Sequence, residues 1–246
     1  MKQTLVTIHG VGRFEHDFWV SQQSAVAQHL GCPPPVRPVW WADLVDFGAP
    51  LLPALRDRVT ARLHIVAQRV IGRPARRSPR LVHRVSEGMH NFVNGVAGVA
   101  AYFIPTRQRH AIRQRLRQTL TELTQQKQEI ILVSESLGSV IAFDVLRAEA
   151  DRYRVAAWVT IGCPLRTLVY SGQRRRDLGA IHPHTVRRWL NVYAPYDPIA
   201  APIAPVFPEF PIRDERIEEA GGLFEAHANY WLIPRVAALI AETFRS

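Results

Sequence analysis

Short apolar runs alternate along this chain with longer stretches in which apolar residues recur every three or four positions. Thr4 to Ile8, Val36 to Trp41, Ile130 to Val133, Val155 to Ile161 and Trp189 to Tyr193 are the runs, and each predicts a strand. Ile130 to Val133 is apolar without alternation, which suits a parallel strand buried on both faces. Between the runs, Asp17 to Leu30 has helical character and stops at Gly31-Cys32-Pro33-Pro34-Pro35. A further helix is predicted over roughly Arg107 to Gln126. Leu137, Val140, Ile141 and Val145 recur at helical spacing and predict a helix packed back on the sheet, as do Val236, Leu239, Ile240 and Phe244. Strands alternating with helices predict an α/β fold, a mostly parallel sheet flanked by helices, in a single domain over 1–246. Ligand sites in such sheets form at the carboxyl ends of the strands.

After Asp43 the pattern changes. Helices are predicted near Leu51 to Ile71 and Leu81 to Tyr102, broken by Gly72-Arg73-Pro74 and Ser78-Pro79. This excursion leaves after the second strand and returns before the third, so residues 50–117 read as a helical lid or cap inserted over the strand ends. The apolar run Phe92 to Ile104 is too short to span a bilayer, which takes roughly 20 apolar residues. A buried helix is the expectation there, and a mobile apolar lid edge that meets lipid is the alternative.

Charge sharpens the view of this excursion. Between Arg56 and Arg117 fourteen arginines face two acids, Asp57 and Glu87, so the segment carries +12 of a formal net charge of +10 and leaves −2 elsewhere. The chain has only Lys2 and Lys127, a bias that explains the choice of cation but not its clustering. A basic, arginine-rich cover predicts peripheral contact with an anionic membrane. No zinc-finger or RNP-type signature accompanies the charge, so nucleic acid is not an expected partner. Cys32 and Cys163 stand far apart without metal-ligand spacing, which suggests neither a disulfide framework nor a zinc site. The apolar part of Met1 to Gly10 is too short for a secretory segment and reads as the first strand. A cytoplasmic location is expected, with membrane-peripheral attachment as its variant.

The third strand runs through Ser134-Glu135-Ser136-Leu137-Gly138 directly into a helix. A serine at a sharp strand-to-helix turn has its hydroxyl held away from the backbone, with the first amides of the helix pointing at whatever it attacks. Ser136 is thus a candidate nucleophile, although a helix N-cap explains a serine before Leu137 as well. Nucleophilic serine needs a base, and the base needs an orienting group. His227, before the last helix in a predicted loop, and Asp197, in the loop after the Trp189 strand, complete the order Ser, Asp, His. Asp197 before Pro198 also suits an ordinary turn. Asp214 is the rival acid, but the alternating charges of Ile212 to Ile217 look like a solvated face. His182 and His184 fall out of order, and His64, His83, His90 and His110 fall in the basic excursion.

These pieces resemble, in order, the α/β-hydrolase-fold serine hydrolases of the lipase and esterase type. The matching segments are Thr7-Ile8-His9-Gly10-Val11-Gly12, Ser134 to Gly138, Thr160-Ile161-Gly162-Cys163-Pro164-Leu165, Asn191-Val192-Tyr193 leading to Asp197-Pro198, and His227 with Tyr230-Trp231. The arrangement is similar to the intracellular inositol-deacylase-like lipase branch. The resemblance implies that the backbone N–H groups of Val11 and Leu137 form the oxyanion hole, with His9, Gly10 and Gly138 supporting the turn. A phosphate-cradling role for the His9 turn is not expected, since the G-x-x-x-x-G-K-[ST] pattern is absent. Two departures stand out: Ser134 replaces the usual first glycine, and Glu135 puts a carboxylate beside the nucleophile. The implied activity is cofactor-free and metal-free hydrolysis of a small-molecule or lipid ester. An acyltransferase using the same residues, and a non-catalytic membrane-surface binding or tethering protein on the same fold, are the alternatives.

Overall fold

The computed structural model describes residues 2–11, 14–45, 102, 107–149, 152–166, 185–197, 199–219 and 225–245. Six strands are found there: β1 (Gln3–Ile8), β2 (Val36–Val39), β3 (Glu129–Glu135), β4 (Val155–Ile161), β5 (Trp189–Tyr193) and β6 (Ile212–Arg216). They form one sheet in the order β2-β1-β3-β4-β5-β6, and every neighbouring pair is parallel. Five α-helices accompany it: α1 (Trp19–Leu30), α2 (Arg107–Gln125), α3 (Leu137–Ala148), α4 (Glu225–Ala228) and α5 (Pro234–Glu242).

The continuous apolar runs are explained by cover on both sheet faces. Successive residues of β3 feed two separate cores: Ile130 and Leu132 pack with Ile112, Leu116 and Leu120 of α2 and with Phe143 of α3. Ile131 and Val133 pack on the other face with Val26 of α1 and with Leu239 and Ile240 of α5. Burying each such side chain contributes about 1.5–3 kcal/mol. Central β3 therefore ends in a well-fixed place.

Two stretches of the sheet differ from the sequence expectation. β2 stops at Val39 rather than Trp41, because the Trp41 N–H donates to His9 Nε2 at 3.1 Å and its indole N–H donates to the His9 carbonyl at 3.1 Å. Those bonds take Trp41 off the sheet ladder. The charged segment 212–216, expected as a solvated face, is the edge strand β6. Asp214 within it is partly buried, accepting from Asn191 Nδ2 at 2.7 Å and from the N–H groups of Ile203 and Ala204 at 2.9 and 3.0 Å. It ties the connection after β5 to the sheet.

Residues 107–117 form the first part of α2, with Ile112 and Leu116 buried in the core. Apart from Tyr102, the helices predicted over 51–71 and 81–102, and the run Phe92 to Ile104 at most of its length, lie outside the described residues. So does most of the lid expected over 50–117, apart from Tyr102 and residues 107–117. Tyr102 itself is buried, and its hydroxyl donates to Asp144 Oδ2 at 3.0 Å. Among the described residues no helix is long and apolar enough to cross a membrane.

Candidate active site

β3 ends at Glu135 and α3 begins at Leu137, leaving Ser136 alone to turn the chain. Its backbone has φ 49° and ψ −121°, a conformation that costs a residue with a side chain about 1–3 kcal/mol. Surrounding contacts hold it there. The Ser136 N–H donates to the Ile161 carbonyl at 2.9 Å, tying the turn to the end of β4. A Cβ on Gly138 would come within 2.7 Å of the Ile8 carbonyl oxygen and 2.8 Å of that of His9, so only glycine lets α3 start this close to β1. A Cβ on Gly10 would meet the Ser136 Cβ at 2.8 Å. The two turns thus fit into each other.

Ser134 is accommodated at the position the family gives to glycine because its side chain points into the core, where it is fully used. Its hydroxyl accepts the Trp158 indole N–H at 2.8 Å and donates to Ser139 Oγ at 3.1 Å, while Ser139 donates to the Ser134 carbonyl at 3.0 Å. Cys163, after β4, is buried, which pushes its thiol up to about 12 and leaves it no rival as a nucleophile.

The structure brings Ser136, His227 and Asp197 together. Ser136 Oγ lies 2.9 Å from His227 Nε2, and His227 Nδ1 lies 2.8 Å from Asp197 Oδ2. His227 stands on the one-turn helix α4 rather than in the predicted loop. Gly162, at φ 60°, makes room for its ring: a Cβ there would sit 3.1 Å from His227 Cε1. Asp197 is buried, 5% exposed, and receives three further donors. The N–H groups of Ile199 and Ala200 reach Oδ1 at 2.9 and 3.2 Å, and the Tyr230 hydroxyl reaches Oδ2 at 2.9 Å. Tyr230 in turn accepts the Ala194 N–H at 2.8 Å.

The electrostatics follow from that arrangement. Burial alone would push Asp197 up, but the His227 charge, the His227 hydrogen bond and the donors from Ile199 and Tyr230 outweigh it and hold Asp197 below the usual carboxylate range. Burial would likewise push His227 down, yet Asp197 and, beyond it, Glu135 hold it above its ordinary value of 6.5. With Asp197 ionised, His227 carries its proton on Nδ1 and offers Nε2 to the Ser136 hydroxyl. That is a serine hydroxyl hydrogen-bonded to an imidazole nitrogen free to accept its proton.

A sheet of parallel strands, a serine at a strained turn between central β3 and its helix, and an acid and a histidine following in chain order are now all placed. The chain has the α/β-hydrolase fold. Among solved structures it is similar to a hydrolase assigned to the alpha/beta superfamily from Xanthomonas campestris pv. campestris, with 16% identity, 98% of each chain covered and a TM-score of 0.46. It is also similar to a YdeN-like hydrolase from Pectobacterium atrosepticum, with 15% identity, 99% of this chain and 91% of that one covered and a TM-score of 0.47. A third is the RedJ thioesterase of the prodiginine biosynthetic pathway of Streptomyces coelicolor, with 14% identity, 98% and 90% coverage and a TM-score of 0.40. No family model and no curated relative matches the sequence.

In this α/β-hydrolase fold Ser136 and His227 line a cavity of about 370 Å³, with Gly10, Val11, Phe14, Phe18, Glu135 and Trp231 among its other walls. Val11 therefore lines the same cavity as Ser136, and Leu137 is the first residue of α3. His9 lies outside this lining, buried and stacked between Phe14 and Trp41. Burial lowers its pKa to about 4, and its neutral ring accepts from the Trp41 N–H and donates through Nδ1 to the Gly10 carbonyl at 2.8 Å. Its place is to shape the β1 turn. A more open groove of about 430 Å³ near Trp40, Asp43 and Arg115 contains none of the three residues of the serine site, and its Arg115 is already paired with Asp43. Among the described residues no group of three His, Cys, Asp or Glu side chains is placed to hold a metal ion. Sequence reasoning missed Tyr230 as a partner of Asp197, Trp231 as a partner of Glu135, and Phe14 and Phe18 as cavity walls. Tyr230 and Trp231 directly follow the His227 segment, a proximity that marks them but assigns neither partner.

Proposed function

We propose that this protein is a serine hydrolase that cleaves a carboxylic ester through an acyl-enzyme on Ser136. The observation that carries the reading is the unbroken line from Ser136 Oγ through both nitrogens of His227 to Asp197, placed on the wall of a cavity. His227 takes the hydroxyl proton through Nε2 as Ser136 Oγ bonds to the carbonyl carbon, and the negative charge moves to the carbonyl oxygen. The N–H groups of Val11 and Leu137 are the proposed donors to that oxyanion, and each such amide is typically worth about 3–4 kcal/mol. The protonated His227 then gives its proton to the leaving alcohol. A water, deprotonated by the same nitrogen, attacks the acyl-enzyme and releases the acid. Asp197 stays ionised throughout and stabilises the imidazolium.

The test is fluorophosphonate labelling, together with turnover of a panel of esters of different chain length, on wild type and Ser136→Ala. Wild type should be labelled and should hydrolyse at least part of the panel. Ser136→Ala should lose labelling and at least a thousandfold, in order of magnitude, of turnover. Labelling that persists undiminished in Ser136→Ala contradicts the assignment.

A further inference from the structure

Among the described residues, Glu135 is the titratable group on the cavity wall that ester cleavage leaves without a task. It is the residue before Ser136, and its carboxylate shares the cavity with Ser136 and His227. Oε2 accepts the Trp231 indole N–H at 3.0 Å, which fixes the carboxylate's orientation. Oε1 has no hydrogen-bond partner among the described residues. No lysine or arginine among the described residues lines this cavity, and three of its walls are the aromatic side chains of Phe14, Phe18 and Trp231. The facing titratable group is His227, which is already committed to Asp197 and Ser136.

A partly buried carboxylate set among such walls is costlier to keep charged than one in water, and a positive charge brought beside it offsets that cost. Its pKa is indeed pushed above the ordinary carboxylate range by burial, against the opposing effects of His227 and the Trp231 hydrogen bond. The aromatic faces around it suit a cation as well, since a ring's face attracts positive charge most when water is excluded.

From this geometry we infer that Glu135 is a specificity-determining residue that receives a cationic nitrogen, so that the preferred substrate is an ester bearing an ammonium group near its scissile carbonyl. The inference rests on the serine-hydrolase reading of Ser136. The reach is short: Glu135 and Ser136 line one cavity of about 370 Å³, so a single small substrate can present a nitrogen to one and a carbonyl to the other. The ion pair completes on binding, and the substrate brings a charge that no described residue of the wall supplies beside Glu135.

Two p-nitrophenyl esters of equal shape test this: that of 4-(trimethylammonio)butyrate, a permanent cation, and that of 5,5-dimethylhexanoate, its neutral isostere. In wild type kcat/KM should favour the cationic ester by about tenfold or more, the scale of one well-placed charged contact. In Glu135→Gln the preference should collapse toward unity, and Glu135→Asp should restore part of it. A wild-type ratio near one overturns the proposal, and this needs no variant to fold. An equal loss on both esters in Glu135→Gln also overturns it, because the carboxylate would then act on His227 rather than on substrate. Fluorophosphonate labelling of the same wild-type sample separates the two levels: labelling without charge preference removes only the role of Glu135, whereas absence of labelling removes the hydrolase reading itself.

Discussion

Asp197 is held by four donors, and Tyr230 is the one that also reaches back to the end of β5 through the Ala194 N–H. Ionised Asp197 raises His227, so the acid limb of kcat/KM is expected above pH 6.5, activity falling as His227 protonates and can no longer accept the serine proton. The same shift has the opposite sense for stability. A histidine raised in the folded state stabilises the fold fully below its unfolded value of 6.5, and that contribution is lost as pH climbs through the raised one. Removing the Tyr230 hydroxyl leaves the Asp197 charge less shared, so it should draw harder on the imidazolium. Tyr230→Phe is expected to move the acid limb to higher pH and to lower kcat/KM by about tenfold, with about 1–3 kcal/mol of stability lost through the unpaired Ala194 N–H. A pH–rate profile decides the matter, since a mere packing defect would lower the rate without moving the limb.

At the level of elements, strands β1 to β5 were legible and the edge strand β6 was not. β1, β3, β4 and β5 announce themselves because cover on both faces favours apolar residues at most of their positions. β6 pairs on one side only and is partly exposed, so Arg213, Asp214, Glu215 and Arg216 carry no apolar signal. The placement of Ser136, Asp197 and His227 was readable because each stands just after a strand or just before the last helix. Tyr230 on Asp197 and Trp231 on Glu135 were not, because those pairs exist only once segments far apart in sequence meet. Gly138 is the joint between two elements, with carbonyl oxygens of β1 and its turn 2.7 and 2.8 Å from where a Cβ would lie. Gly138→Ala must push α3 away from β1, at a cost of about 1–3 kcal/mol, and displace the serine with it. The expected result is a lowered Tm together with a larger proportional loss of ester turnover. A variant with wild-type turnover would show that the turn tolerates the shift.

Over the whole molecule, charge is segregated from chemistry. The interval from Arg56 to Arg117 holds +12, while the rest of the chain, with Ser136, Asp197 and His227, holds −2. Such an interval is expected to bind phosphatidylserine vesicles in sedimentation and to release them as salt shortens the screening length from about 10 Å at 0.1 M to about 3 Å at 1 M. Equal binding to phosphatidylcholine vesicles, or binding insensitive to salt, would contradict an electrostatic attachment.

The interlocked turns at Gly10 and Ser136 have a consequence for how the protein comes into being. β1 lies between β2 and β3 in the sheet, yet β3 begins only at Glu129. A ribosome releasing the chain from its amino end exposes one open edge of β1 throughout the synthesis of everything between, including the arginine-rich interval. Pairing across so long a separation is slow and leaves an apolar edge open to wrong partners. The turn that seats the nucleophile closes only when that edge is filled, and His227 emerges later still. On the proposed reading, chemical competence is therefore the last property this polypeptide acquires, and a nascent chain that lacks His227 holds the serine without the means to activate it.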